Sequence, residues 1–136
     1  MANYELFFPK IVTNEGKSIT KTANDIGGFT VVGVAQHANP SWIGFKYCEQ
    51  NNLKAGDSVP QELMEMVHTF YKEQYWDRVL GDTIINQQTA EDLCDSAINM
   101  GVHEAVILSQ RVLGLQETGV MTATTLNVLN ANNNYA

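Results

Sequence analysis

Three side chains in the first quarter of the chain have the types and spacing for acid-assisted hydrolysis. Glu15 stands at the end of an apolar segment, Asp25 follows ten residues on, and Thr30 five residues after that. Gly16, Asn24, Gly27, Gly28 and Gly33 are spread among them, so the three straddle a glycine-rich turn. Attack of water on a glycosidic bond requires one carboxyl that donates a proton. It also requires a carboxylate that orients water or steadies an oxocarbenium-like carbon, and a hydroxyl can hold that water. Partial burial where an amphipathic helix meets a glycine would favour the proton-carrying form of Glu15. Each residue also has an ordinary structural role: a solvated glutamate at a helix end, a turn aspartate bonded to its own backbone, a strand threonine.

Other candidates carry weaker signals. Gly27, Gly28 and Gly33 suit unusual dihedrals or close backbone approach, and without a GKS/T ending they do not form a phosphate loop. Tyr75-Trp76-Asp77 closes a long helical pattern, where aromatics either stack on sugar rings at a groove edge or fill a core. His37, His68 and His103 show no metal spacing, and Ser41, Ser58, Cys48 and Cys94 lack a nucleophile motif. With no CxxC, the two cysteines read as buried free thiols on helices rather than a zinc site or a disulfide. No metal or organic cofactor is implied.

The elements that must position these residues are mostly helical. Residues 4–15 read as a helix with Leu6, Phe7, Ile11 and Val12 on one face, Pro9 as an opening or kink, and Gly16 as the stop. Residues 17–36 carry β-formers around turn residues and predict a short hairpin or β-loop. A helix from Pro40-Ser41 to about Asn51 and a polar turn at 54–58 follow. Pro60 opens a long helix to about Trp76, with Leu63, Met66, Val67, Phe70 and Tyr71 on its stripe. Thr89-Ala-Glu-Asp92 matches a capping-box-like start for a helix that turns Leu93, Ala97 and Met100 inward and stops at Gly101. Helices over about 102–113 and 122–129 complete the pattern, before an Asn-rich tail without apolar periodicity. The expected class is mainly α (α+β), with a small β element near the N-terminus.

Composition narrows the functions. The 136 residues suit a domain with a real core, and 44% apolar with 17% charged residues is globular composition. A net charge of −7 makes nucleic acid a poor partner, since phosphate binding needs clustered Lys and Arg. No apolar run approaches the roughly 20 residues that span a bilayer. The start carries Glu5 and Pro9 where a signal peptide would be apolar, so export is expected to use another route.

Taken together, the motifs resemble a known family. Glu15-Gly16, then Asn24-Asp25-Ile26-Gly27-Gly28-Phe29-Thr30 with Gly33, then Tyr75-Trp76-Asp77, is similar to the phage and bacterial N-acetylmuramidases of glycosyl hydrolase family 108. Downstream, Asp95-Ser-Ala-Ile-Asn-Met-Gly101 resembles that family's Asp/Ala/Asn/Gly helix end. Gln110-Arg-Val-Leu-Gly114, Thr118-Gly119 and Thr124-Thr-Leu126 resemble its small C-terminal peptidoglycan-binding region.

The resemblance, over about residues 6–130, implies a lysozyme-like α-rich fold with Glu15 as the catalytic acid. It implies cleavage of β-1,4 bonds between N-acetylmuramic acid and N-acetylglucosamine, with Asp25 and Thr30 handling water. Gly27, Gly28, Tyr75 and Trp76 would line the substrate. It also implies a catalytic region over 1–88, a peptidoglycan-binding-like region over 89–130 packed on it as one compact unit, and a flexible tail over 131–136. The partner would be peptidoglycan glycan strands at the bacterial wall, reached through a holin, a phage particle or a secretion machine. Two departures stand out: Lys17 occupies the place of a second glycine, and family members generally continue into a further C-terminal helix. The alternative they raise is a weak or inactive lysozyme-like protein that binds peptidoglycan or serves as a structural part of a phage particle or secretion system. A third reading is an interaction module of the cytoplasm with no wall role.

Overall fold

The structure is a computed structural model and describes residues 1–21 and 28–132. Asp25, Gly27 and the end of the tail lie outside the described residues. The elements are α1 (Tyr4–Glu15), β1 (Ile19–Lys21), β2 (Phe29–Val31), β3 (Val34–Ala35), α2 (Ile43–Gln50), α3 (Gln61–Tyr71), α4 (Gln87–Met100), α5 (Val102–Val112) and α6 (Ala123–Ala131). A π-helical turn (Lys72–Trp76) continues α3, and a 3-10 turn (Gly81–Thr83) precedes α4. This is the expected mainly α class with one small sheet. The chain packs as two units: Phe8–Phe70, and Met1–Phe7 together with Tyr71–Ala136.

The first unit contains the sheet. In α1, Ile11 and Val12 are buried, while Leu6, expected on that face, is 58% exposed. Tyr4, Phe7 and Ile11 form the true stripe at i, i+3 and i+7, and Leu6 lies about 130° off its centre. Pro9 has no amide hydrogen for the helix ladder, and the Thr13 hydroxyl donates to its carbonyl oxygen at 3.0 Å. Gly16 ends the helix at φ +93°, its amide still donating to the Val12 carbonyl at 2.8 Å.

The strands follow in antiparallel order β1-β2-β3. Ile19 faces Val31 and Thr20 faces Thr30. Val32 and Gly33, both at positive φ, connect β2 to β3 in the manner of a two-residue hairpin turn. A β-branched residue there costs about 1–3 kcal/mol, and full burial of Val32 holds it in place. Around α2, the Trp42 ring lies on Gly44 so closely that no Cβ would fit, and it meets Phe45 and Phe70 with centroids 5.0 and 5.6 Å apart.

The second unit is helical. Asn86, not Thr89, caps α4: its side-chain oxygen accepts from the Thr89 amide at 2.9 Å, so the helix begins earlier than the capping-box pattern indicates. Leu93, Cys94 and Ala97 are buried, but Met100 is 45% exposed at the fraying end beside Gly101. α4 and α5 pack together. Gln110 of α5 is fully buried. Its Nε2 faces Thr118 Oγ1, Thr125 Oγ1 and the Val120 carbonyl at 2.9–3.1 Å, so three acceptors share two hydrogens. Its Oε1 accepts from the amides of Thr118 and Gly119 at 2.8 and 3.1 Å. Asn130, placed in the unpatterned tail by the sequence, belongs to α6. It accepts from the Ile85 amide at 2.9 Å and donates to the Thr83 carbonyl at 3.1 Å.

Gln110→Ala would strand the Thr118 and Gly119 amides beside a buried void. We expect it to cost about 3 kcal/mol, read as a lowered urea midpoint.

Candidate functional site

Glu15 is the last residue of α1, and its position follows from its neighbours. The buried Ile11 and Val12 anchor the last two turns, and Gly16 turns the backbone out of the helix directly after the acid. The next three residues are then fixed by hydrogen bonds to the 54–59 loop. The Val59 amide donates to the Lys17 carbonyl, Ser18 bridges Ser58, and Ile19 exchanges bonds with Asp57 and Gly56 at 2.8 Å each. The loop itself is closed by the Asp57 carboxylate, which accepts from the Lys54 amide at 2.8 Å.

The Glu15 side chain is exposed rather than partly buried, and among the described residues nothing hydrogen-bonds or pairs with its carboxyl. Lys17 is exposed and makes no ion pair with it. The departure from a second glycine therefore leaves the acid uncontacted.

Thr30 is the middle residue of β2 and is half-buried. Because side chains alternate along a strand, the Ile19–Val31 pair turns inward and the Thr20–Thr30 pair takes the opposite face. The Thr20 hydroxyl donates to the Thr30 carbonyl at 3.4 Å. Thr20 was not singled out from the sequence, since only the strand register pairs it with Thr30. Gly28 stands immediately before β2 and is half-buried. The structure thus places Glu15, Gly28 and Thr30 in one unit, with Glu15 at the end of α1, Gly28 just before β2 and Thr30 in the middle of β2.

Tyr75 and Trp76 belong to the other unit. Tyr75 is half-buried, its ring 5.8 Å from Tyr71, and burial raises its phenol above the usual range while Arg78 works the other way. Trp76 is a correction. It is fully buried, its ring packs against Tyr4 and Phe7 at 5.5 and 5.8 Å, and its Nε1 donates to Asp82 at 2.8 Å. Gly81 lies flat under the indole, so a Trp76 ring has no free face for a sugar. The π turn, sealed by the Asp77 amide donating to the Lys72 carbonyl at 2.8 Å, accompanies this placement. Trp42 supplies a partly exposed aromatic surface in the unit that holds Glu15; its lone position before Ile43 carried no pattern in the sequence.

Both cysteines are free and buried. Among the described residues, no three His, Cys, Asp or Glu side chains are grouped to hold a metal, and no helix is long and apolar enough to cross a membrane.

The fold is mainly α, and the Glu15 carboxyl, uncontacted among the described residues, stands where the first helix gives way to the small sheet. The profile of the glycosyl hydrolase 108 family matches residues 8–101, and the chain belongs to that family. Among solved structures, SagA of Brucella abortus is similar at 24% identity with a TM-score of 0.66, over 95% of this chain and 69% of that one. No curated protein sequence matches the chain. The matched segment includes Glu15, the sheet and Trp76, and it ends at Gly101, so the resemblance of the last helices to a peptidoglycan-binding region is not part of it.

Burial also makes a pH prediction for the helical unit. It pushes the Cys94 thiol from 9.0 up to about 12, with Asp95 adding to the effect, and it raises the Tyr4 phenol further still. Below the unfolded thiol value both states hold the proton, and this contribution to stability is intact. Above it the unfolded chain ionises while the folded chain does not, so the unfolded state binds fewer protons and stability falls. The urea midpoint should be level up to about pH 8 and decline between about pH 9 and 12, and Cys94→Ala should flatten the first part of that decline.

Proposed function

We propose that this chain is a peptidoglycan hydrolase, an N-acetylmuramidase that cleaves the β-1,4 bond between N-acetylmuramic acid and N-acetylglucosamine. The observation that carries the reading is the Glu15 carboxyl: it ends α1, lies within the matched family segment, and has no partner among the described residues. A carboxyl committed to an ion pair would have to break it before taking part in acid catalysis, and Glu15 has none among the described residues.

In this scheme Glu15 protonates the glycosidic oxygen as the bond to the anomeric carbon breaks. Water adds to that carbon and gives up its proton to Asp25, while Thr30 holds the water in line. Since Glu15 is exposed, the water-poor surroundings that assist proton transfer come from the glycan itself once it covers the site. Residues 89–130 would retain the wall polymer, and the protein would act at the bacterial wall after release by a holin, a phage particle or a secretion machine.

A turbidity and reducing-end assay on purified peptidoglycan tests it. Glu15→Gln should lower the rate about 10²–10⁴-fold with an unchanged melting temperature, and Asp25→Asn and Thr30→Ala should each lower it by less. Wild-type protein that releases no reducing ends across pH values and wall sources would overturn the reading.

A further inference from the structure

The turn over residues 35–39 carries polar groups that the scheme above leaves unused. Ala35 of β3 faces Thr30 across the sheet, and Gln36 is the next residue. Its backbone amide donates to the Phe29 carbonyl at 2.9 Å, and its side-chain Oε1 accepts from the Phe29 amide at 3.0 Å. The Gln36 side chain thus extends by one bond the ladder that β3 leaves at Ala35. Asn39 closes the turn from its other end. Its backbone amide and its Nδ2 both donate to the Ala35 carbonyl, at 3.0 and 3.1 Å. All of these residues belong to the unit that carries Glu15 and Thr30.

These bonds decide which end of each carboxamide is left over. The Phe29 amide is a donor, so an oxygen must face it, and Gln36 turns its nitrogen away. The Ala35 carbonyl is an acceptor, so a nitrogen must face it, and Asn39 turns its oxygen away. Both side chains are half-buried. Among the described residues, neither Gln36 Nε2 nor Asn39 Oδ1 has a partner. The turn therefore presents an oriented donor and an oriented acceptor, both neutral, beside the register partner of Thr30.

A carboxylate ligand uses only the donor of such a turn, and an ammonium only the acceptor. An acetamido group matches both in kind, since its carbonyl accepts and its N–H donates. A donor already held by its own oxygen also gives up little rotamer freedom on binding. We propose that Gln36 is a specificity-determining residue for the reaction, which donates from Nε2 to the acetamido carbonyl of a wall sugar. The identity of that sugar rests on the muramidase reading; the preset donor rests on the Phe29 bond.

Gln36→Glu separates this role from a structural one. Its carboxylate still accepts from the Phe29 amide, so the melting temperature should hold, but the donor is gone. Chitotriose, a neutral oligomer of N-acetylglucosamine, titrated into isotope-labelled Glu15→Gln protein should shift the side-chain NH₂ signals of Gln36 along the binding curve. Adding Gln36→Glu in that background should weaken the curve about fivefold. The fully de-N-acetylated trimer should respond in the opposite sense and bind Gln36→Glu more tightly, because its ammonium meets the new carboxylate. His37→Glu places the same charge one residue away, at an exposed position, and should move the ratio of the two affinities far less.

Silence of the Gln36 side chain with millimolar chitotriose overturns this role. So does an affinity ratio that Gln36→Glu leaves unchanged, or that His37→Glu changes equally; the carboxamide is then a strut for β2 and nothing more. Reducing-end release by the wild type is read in parallel. A shift at Gln36 without lysis defeats the catalytic reading and leaves the recognition standing. Silence at Gln36 beside normal lysis defeats the recognition alone.

Discussion

Residues 17–21 are hydrogen-bonded on both sides, to the 54–59 loop on one and to β2 on the other, and the direction in which α1 delivers Glu15 depends on it. A helix end followed by glycine is ordinarily free to fray, because the residue after the stop has no ladder to join. Here the chain enters a new ladder within two residues of Gly16. The same bonds fix the register of β1 against β2, and that register decides which face Thr30 takes. One short stretch of backbone therefore orients an acid on its upstream side and a hydroxyl across from its downstream side. Shifting it by one residue would send Ile19 outward and Thr20 inward.

The helical unit reaches order by other means. Aromatic rings lie directly on glycine backbone at Trp76–Gly81, and the His103 ring lies on Gly119 in the same way. Such contacts work only where a side chain is absent on the facing residue, so they tie residue identity at two positions at once. Carboxamides do the remaining joining. Gln110 gathers the 118–120 loop, and Asn130 and Gln87 tie α6 and the N-terminal residues to the segment around α4. These bonds link residues far apart in sequence through neutral carboxamides, and Gln87 also donates to the carboxylate of the buried Glu91.

Much of the fold was legible because its punctuation is local. Gly16 and Gly101 end helices where a left-handed or extended turn is needed, and Pro60 opens α3. Glu15 could be placed from its two neighbours alone. The misreadings have two kinds of cause: a partner distant in sequence, or a choice between local geometries that the residue types leave open. Whether Trp76 lines a groove or fills a core is decided by Tyr4 and Phe7, some seventy residues upstream. Asn86 and Thr89 both satisfy the local rule for a cap, and the geometry chooses the first. The π turn has no spacing of its own in an apolar stripe, and the Thr20–Thr30 pair exists only through strand register.

Cys48 and Cys94 are each sealed inside one of the two units, with burial raising both thiols above their ordinary range. Neither sulfur offers a thiolate to an oxidant while the fold is closed. Burial therefore slows oxidation of either thiol in the folded chain. Oxidation becomes a report on unfolding, and a chain that opens in an oxidising compartment risks being trapped by a bridge the native state never uses.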